Sequence, residues 1–261
     1  MKYIKKFNDK AQLETYKKSN FVSPHVYLDS NLNTVKFMQE YKQLEYISST
    51  KTGGQYIDLG CKLMENTDDI LMYIKFNIKG NGKDNNGQST LIVSQPEVTP
   101  YPGFVLRKTG NDVSYNNYQF IDCSAKWSFE NSTKTNGSNK YYANALRGPL
   151  NYESLDTTNT IHKRIGNIYE ETVLFNNIPQ NQCHNMNCHL FCAVASSNQP
   201  FRYVEADLYY LRFIKGGQVV RNLIPVKKVA TNEIGLYDME NDHLYVSQGD
   251  DPFVAGPIIN N

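Results

Sequence analysis

Nine residues, Ile70-Leu71-Met72-Tyr73-Ile74-Lys75-Phe76-Asn77-Ile78, constrain this chain more than any others. Positions 72, 74, 76 and 78 are all apolar, and positions 75 and 77 are polar. A period of two belongs to a strand with one buried face, because successive side chains of a strand point to opposite sides. Similar chemistry recurs from Tyr41 onward. Leu44-Glu45-Tyr46-Ile47 and residues 55–59 and 90–94 are runs rich in Ile, Tyr, Val and Leu, set apart by Gly, Asn, Asp and Ser clusters. Residues 203–224 read as a hairpin turning at Lys215-Gly216-Gly217-Gln218. In its first arm Val204, Ala206, Leu208 and Tyr210 alternate with Glu205, Asp207 and Tyr209. Residues 79–88 and 130–140 carry Asn, Gly, Ser and Lys, as solvated turns do. Many short strands, no convincing long helix and no fixed-period repeat predict a mainly β chain folded as an antiparallel β-sandwich.

The first 38 residues read differently. Tyr3, Ile4 and Phe7 suggest a short strand, and Asn8 or Asp9 can cap a helix through Lys18, with Gln12 closing a capping box behind Asp9. Leu13 and Tyr16 share one face of that helix. After Pro24, a strand from His25 to Leu28 turns at Asp29-Ser30-Asn31 and returns over residues 33–37. Such a strand–helix–hairpin unit holds none of the five cysteines, and units below ~40 residues usually need disulfides, metals or partners for stability. It is therefore expected to dock, with Phe7, Leu13, Tyr16, Phe21 and Val26 as apolar anchors for attachment or oligomerisation. Two domains follow: a module over 1–38 and a β domain over 41–261.

Composition removes several functions. Lys and Arg total 27 against 26 Asp and Glu, so no basic excess points to nucleic acid. The apolar stretches are a few residues long, far short of the ~20 a spanning helix needs, so no membrane insertion is expected. The opening MKYIKKFNDK has lysines but no apolar stretch after them, unlike a secretory signal. Cys61, Cys123, Cys183, Cys188 and Cys192 are odd in number and not spaced as a disulfide framework, which fits reduced thiols made in a cytoplasm.

Three constellations invite chemistry. Cys183-His184-Asn185-Met186-Asn187-Cys188-His189-Leu190-Phe191-Cys192 carries the atoms zinc prefers, yet has neither Cys-x2-Cys nor His-x3-His spacing. A period of two instead puts Cys188, Leu190, Cys192 and Val194 on one strand face as small core side chains, so no metal or cofactor is expected. Glu205 and Asp207 fall on one face of a strand, as two carboxylates flanking a glycosidic bond would require, and they resemble part of the glutamate-x-aspartate-x-glutamate signature of concanavalin-like glucanases, whose third acid is replaced here by Tyr209. They read as a solvated strand face. The five histidines are scattered, no nucleophile elbow, zincin or P-loop motif is present, and no catalytic residue is assigned. Sugar binding without cleavage would use an aromatic platform, for which Trp127 and Tyr101 are the candidates, with Asn131, Asn111 and Asp112 nearby. Against it, Ala125, Trp127 and Phe129 alternate with Lys126 and Ser128 as an inward face does.

Two segments are more specific. The run from Tyr46 through Gly53-Gly54-Gln55-Tyr56-Ile57-Asp58-Leu59-Gly60 resembles the opening strand pair of laminin-G-like, concanavalin-type jelly rolls, common in phage structural proteins. Asp207-Leu208-Tyr209-Tyr210-Leu211-Arg212-Phe213, then Val220-Arg221-Asn222-Leu223-Ile224-Pro225-Val226 and Glu233-Ile234-Gly235-Leu236-Tyr237-Asp238, resemble that group's closing strands. The stretch from His243-Leu244-Tyr245 to Gly256-Pro257 is similar to its usual ending. The likeness spans about 41–257 and implies a jelly roll, without the catalytic acids of glucanase relatives and with no acidic loop matching their calcium sites. On their own chemistry, Gly53-Gly54, Gly60 and Gly235 suit turns or bulges with positive φ, and Pro225 suits a strand end or edge. The N-terminal Tyr3-Ile4-Lys5-Lys6-Phe7-Asn8, Tyr16-Lys17 and Phe21-Val22-Ser23-Pro24-His25-Val26 are similar to the leading module of virion proteins from phages of Bacteroides-type hosts, the crAss-like group included. That likeness implies attachment to a capsid or other virion protein. The expectation is a head fibre or capsid decoration, assembled in the host cytoplasm and carried in the virion, as a homo-oligomer with a trimer first, able to adhere to glycans. A tail or baseplate protein, or a carbohydrate-binding surface protein of the bacterial host, is the alternative.

Overall fold

The computed structural model describes residues 40–50, 54–79, 88–94, 180, 183–195 and 199–259, together with the strands over 104–109, 117–122, 140–144, 151–155, 161–165 and 168–175. The expected module over 1–38 lies outside the described residues. In chain order the strands are β1 (Tyr41–Gln43), β2 (Ile47–Ser49), β3 (Ile57–Asp58), β4 (Ile70–Ile78), β5 (Gln88–Val93), β6 (Phe104–Thr109) and β7 (Asn117–Asp122). Next come β8 (Lys140–Asn144), β9 (Asn151–Leu155), β10 (Ile161–Ile165), β11 (Ile168–Phe175), β12 (His189–Leu190) and β13 (Ala193–Val194). The last are β14 (Pro200–Phe201), β15 (Ala206–Lys215), β16 (Gln218–Lys228), β17 (Ile234–Asp238), β18 (His243–Val246) and β19 (Val254–Ala255).

The chain is mainly β, and every strand pairing among the described residues is antiparallel. One sheet of 11 strands runs β18-β17-β16-β15-β4-β11-β10-β9, with β1 added beside β16 and β2 beside β15, and β19 on β2. A second sheet of six runs β3-β12-β5-β6-β7-β8, and β13 pairs with β14 alone. One hydrophobic cluster draws on both large sheets. Met72, Ile74, Phe76, Leu208, Leu211, Phe213 and Leu223 come from the first, and Ile57, Leu91, Ile92 and Leu190 from the second.

β4 follows its pattern at every position, buried at even numbers and half-buried at odd ones. Its partner β15 departs from the expected alternation. Leu208 lies opposite Phe76 but Tyr210 opposite Lys75, so Tyr209 is an extra residue bulged out of register. Both faces are buried from Ala206 to Phe213, but the side that joins the main hydrophobic cluster switches parity: Leu211 and Phe213, opposite Ile74 and Met72, continue it, and Tyr210, though buried as expected, does not. Tyr209 and Tyr210 suit either face, so nothing in the local pattern marks the switch. The hairpin turn falls where expected: Gly216 and Gly217 have φ of 52° and 78°, the two positive values that a tight two-residue turn needs.

Pro225 does not sit at an edge or a strand end. It lies within β16, opposite Leu236, where β16 changes its other neighbour from β15 to β1. Its carbonyl accepts from Leu44 N, and N–H and C=O of one strand residue point the same way, so its missing donor falls at this changeover. Gly54 and Gly60 have the expected positive φ, but Gly235 does not. A Cβ at Gly235 would collide with the Tyr245 carbonyl, so close strand approach excludes a side chain there.

Candidate functional site

The two segments that carry the jelly-roll likeness meet in space, and the meeting point is the carbonyl of Leu59. Arg221 and Leu223 of β16 lie opposite Phe213 and Leu211, so Arg221 extends the buried face of β16 toward the second sheet. Its guanidinium donates from Nε at 3.1 Å and Nη2 at 2.6 Å to Leu59 O, and from Nη1 at 2.6 Å to Val220 O. Tyr245 of β18, opposite Leu236, donates its hydroxyl to the same Leu59 carbonyl at 3.1 Å. Behind the arginine sits Asp238, 0% exposed, with Oδ2 3.7 Å from Arg221 Nε. Three donors complete its shell: the Asn222 and Glu240 amides, each 3.0 Å from Oδ1, and Asn241 Nδ2, 2.7 Å from Oδ2. A buried carboxylate is tolerable only when paired and hydrogen-bonded in this way. Arg221 and the Ile-Gly-Leu-Tyr-Asp run thus tie one sheet to the other.

The same end of the molecule carries a groove. Two adjoining open pockets of about 490 and 460 Å³ share Gly60, Arg221 and Asn241. The first is walled by Asp58, His243, Tyr245 and Gln248, and the second by Cys61, Lys62, Glu65 and Lys215. Asp58 is fixed by the Gly60 amide at 2.8 Å on Oδ1 and by Asn187 Nδ2 at 3.0 Å on Oδ2. Its own amide donates to Gln248 Oε1 at 3.1 Å. The His243 and Tyr245 rings meet edge to face at 4.5 Å. Burial pushes the Cys61 thiol up to about 11, with the carboxylates of Asp238 and Asp58 adding to the rise and the nearby Arg221 opposing it. It is therefore a protonated, weakly nucleophilic thiol at neutral pH. Neither the groove nor the Leu59 tie had a local signal in the sequence, since Asp58, Arg221 and His243 stand far apart along the chain.

Asp207 corrects the expectation of a solvated acidic face. It is 3% exposed, because β15 is flanked there by β2 and β4 and their polar side chains reach over it. Ser48 Oγ donates at 2.5 Å, Asn77 Nδ2 at 3.2 Å, and Lys79 Nζ pairs at 2.5 Å with its own side chain 38% exposed. Beside this network the Tyr46 and Tyr209 rings lie 5.2 Å apart, with Lys79 over the first and Lys75 over the second. Burial first, then the Asp207 charge, pushes the Tyr209 hydroxyl up to about 12. Asp207 is a counter-ion with three donors on it, and Glu205 beside it is only half-buried. This is no matched pair of acid and base.

Cys188, Leu190, Cys192 and Val194 are buried as expected but do not lie on one strand. Phe191, with φ of 64°, breaks the run between β12 and β13, and its ring packs on Phe253 at 4.9 Å. Cys188 and Leu190 join the main core, while Cys192 and Val194 join a smaller cluster with Val93 and Met186. Burial raises the Cys188 and Cys192 thiols and lowers the His184 imidazole, a backbone hydrogen bond at Ser94 opposing the latter. Among the described residues, no three His, Cys, Asp or Glu side chains converge as metal ligands would. Likewise, no helix among them is long and apolar enough to cross a membrane. Phe7, Leu13, Tyr16, Phe21 and Val26 lie outside the described residues, as do Trp127 and Tyr101.

Fold and site together define a mostly β protein of antiparallel sheets in which, among the described residues, Arg221, Asp238, Tyr245 and Asp207 are engaged in hydrogen bonds between strands or sheets. Compared with known proteins, the chain matches no family model, no curated protein and no solved structure.

Proposed function

We propose that this chain is a non-enzymatic structural protein of a phage virion, a head fibre or capsid decoration. In this reading residues 1–38 attach or oligomerise it, and the two sheets form a displayed jelly-roll sandwich. The observation that carries the reading is how the polar side chains are used. Arg221, Asp238, Tyr245 and Asp207, which the jelly-roll likeness spans, are all engaged in cross-strand and cross-sheet hydrogen bonds. A catalytic acid or base must instead reach a substrate proton with its own pKa tuned for transfer. A rigid, tied sandwich with a shallow groove suits display and adhesion.

The test is the protein content of density-gradient-purified particles released from a lysing culture that makes the chain. The proposal expects many copies per particle, resistant to washing. Absence from particles, with recovery in the bacterial envelope, would transfer the assignment to a carbohydrate-binding surface protein of the host. The rim groove is the observation that keeps glycan adhesion within either reading.

A further inference from the structure

We propose that the groove between the end of β3 and the β17–β18 hairpin binds a neutral polyhydroxylated ligand, a single pyranose unit of a glycan. The inference rests on the reading of the sheets as a displayed, non-catalytic adhesion surface. It assigns the subsite to residues other than Trp127 and Tyr101.

Size is the first argument. At about 490 Å³, the pocket walled by Asp58, His243, Tyr245 and Gln248 falls within the ~300–1,000 Å³ typical of small-ligand sites. Charge is the second. Arg221, Lys62 and Lys215 around the two pockets are answered by Asp58 and Glu65, and by Asp238 immediately behind Arg221. Lys215 is itself tied to Glu65 at 2.9 Å, and Arg221 to backbone carbonyls. The groove therefore has no surplus charge with which to attract an ion, and a neutral ligand loses less on entering it.

Orientation of the amides is the third argument. Asn241 spends its Nδ2 on Val220 O at 3.2 Å and on Asp238 Oδ2 at 2.7 Å, which fixes the side chain and leaves Oδ1 as an acceptor. Gln248 spends Oε1 on the Asp58 amide, which leaves Nε2 as a donor. Among the described residues, no hydrogen bond engages those two atoms or the ring nitrogens of His243. A set of donors and acceptors on side chains already held in place is what sugar hydroxyls need, because little rotamer freedom is lost on binding. Tyr245, pinned by its hydroxyl to Leu59 O and set against the His243 ring, supplies a fixed aromatic wall for the apolar C–H face of a pyranose.

The experiment is titration of the isotope-labelled full chain with the methyl glycosides of glucose, galactose, mannose and N-acetylglucosamine, with inorganic phosphate as the ionic probe. The expected result is a saturable shift of the Asn241 and Gln248 side-chain amides by at least one glycoside, with a Kd of about 1 mM. The double variant His243→Ala/Gln248→Ala should weaken that binding about tenfold or more. Its thermal midpoint should stay close to that of the parent, since both side chains are exposed. His243→Ala alone, which breaks no hydrogen bond, serves if the double variant is unstable. Saturable shifts elsewhere that ignore both variants would overturn the site while leaving adhesion standing. No saturable shift with any glycoside, or tighter binding of phosphate, would overturn the inference, and particle content would still decide the virion reading separately.

Discussion

Replacing Arg221 by Met keeps the unbranched stem and removes the guanidinium. The side chain is 14% exposed and its Asp238 partner is 0% exposed, so the pair is screened little by solvent. Breaking a buried pair from one side typically costs about 3–5 kcal/mol. Two facts bring the figure down: the 3.7 Å separation is long, and Asp238 keeps three other donors. Leu59 O also keeps the Tyr245 hydroxyl. Against this, the two bonds from Arg221 to Leu59 O are charge-assisted, and such bonds are worth about 1.5–3 kcal/mol. The expected loss is about 2–3 kcal/mol in urea unfolding of the full chain. Asp238→Asn keeps an acceptor for the Asn222 and Glu240 amides but turns an amide NH2 toward Asn241 and Arg221, for a loss of about 2 kcal/mol. The two changes share one interaction, so the double variant should be less destabilised than the sum by about 1–2 kcal/mol. Additive losses would refute the coupling of Arg221 to Asp238, and an Arg221→Met variant within about 0.5 kcal/mol of the parent would refute the tie between the sheets.

Other outcomes follow from the same geometry. Gly249→Ala would place a Cβ into the Gly54 carbonyl, so it should cost about 1–3 kcal/mol in unfolding free energy, whereas the neighbouring exposed Gln248→Ala should cost less. The Cys61 thiol is raised from 9.0 in the unfolded chain to about 11 in the fold, so the unfolded state gives up its proton first as pH rises. Its contribution is complete below pH 9 and is lost between about 9 and 11, and Cys61→Ala should make that part of the stability–pH curve less steep, the buried Cys188 and Cys192 thiols adding a loss of the same sign. A Glu205→Ala/Asp207→Ala variant should lose stability, because Ser48, Asn77 and Lys79 lose their shared acceptor, while any polysaccharide turnover in the preparation stays unchanged. Turnover abolished by these substitutions in a still-folded protein would return catalysis to the discussion.

The parts of the fold that were legible in the sequence are those decided by local periodicity. Ile70–Ile78 alternates in burial as its residues do, and the Gly216-Gly217 turn sits where two positive φ values are needed. The misses share a cause. Tyr209 bulges because of register against β4, and both Tyr209 and its neighbour suit either face. Pro225 is tolerated mid-strand by a change of neighbour, which no local pattern announces. Asp207 looked solvated because alternation reports which face a residue takes and not what reaches over that face. Arg221 and Asp238 stood out through the jelly-roll likeness alone, and their partner, the Leu59 carbonyl, is a backbone atom 162 residues from Arg221.

Oligomeric state tests self-assembly through residues 1–38 most directly. Light scattering of the full chain is compared with a variant in which Phe7, Tyr16 and Phe21 are replaced by Ser, with circular dichroism checking that the β signal is retained. A defined oligomer, a trimer by expectation, that falls to a monomer in the variant is the result this account expects. A full chain that is monomeric, or an oligomer indifferent to those three substitutions, would contradict self-assembly through residues 1–38 and leave attachment to another virion protein as the role of that segment.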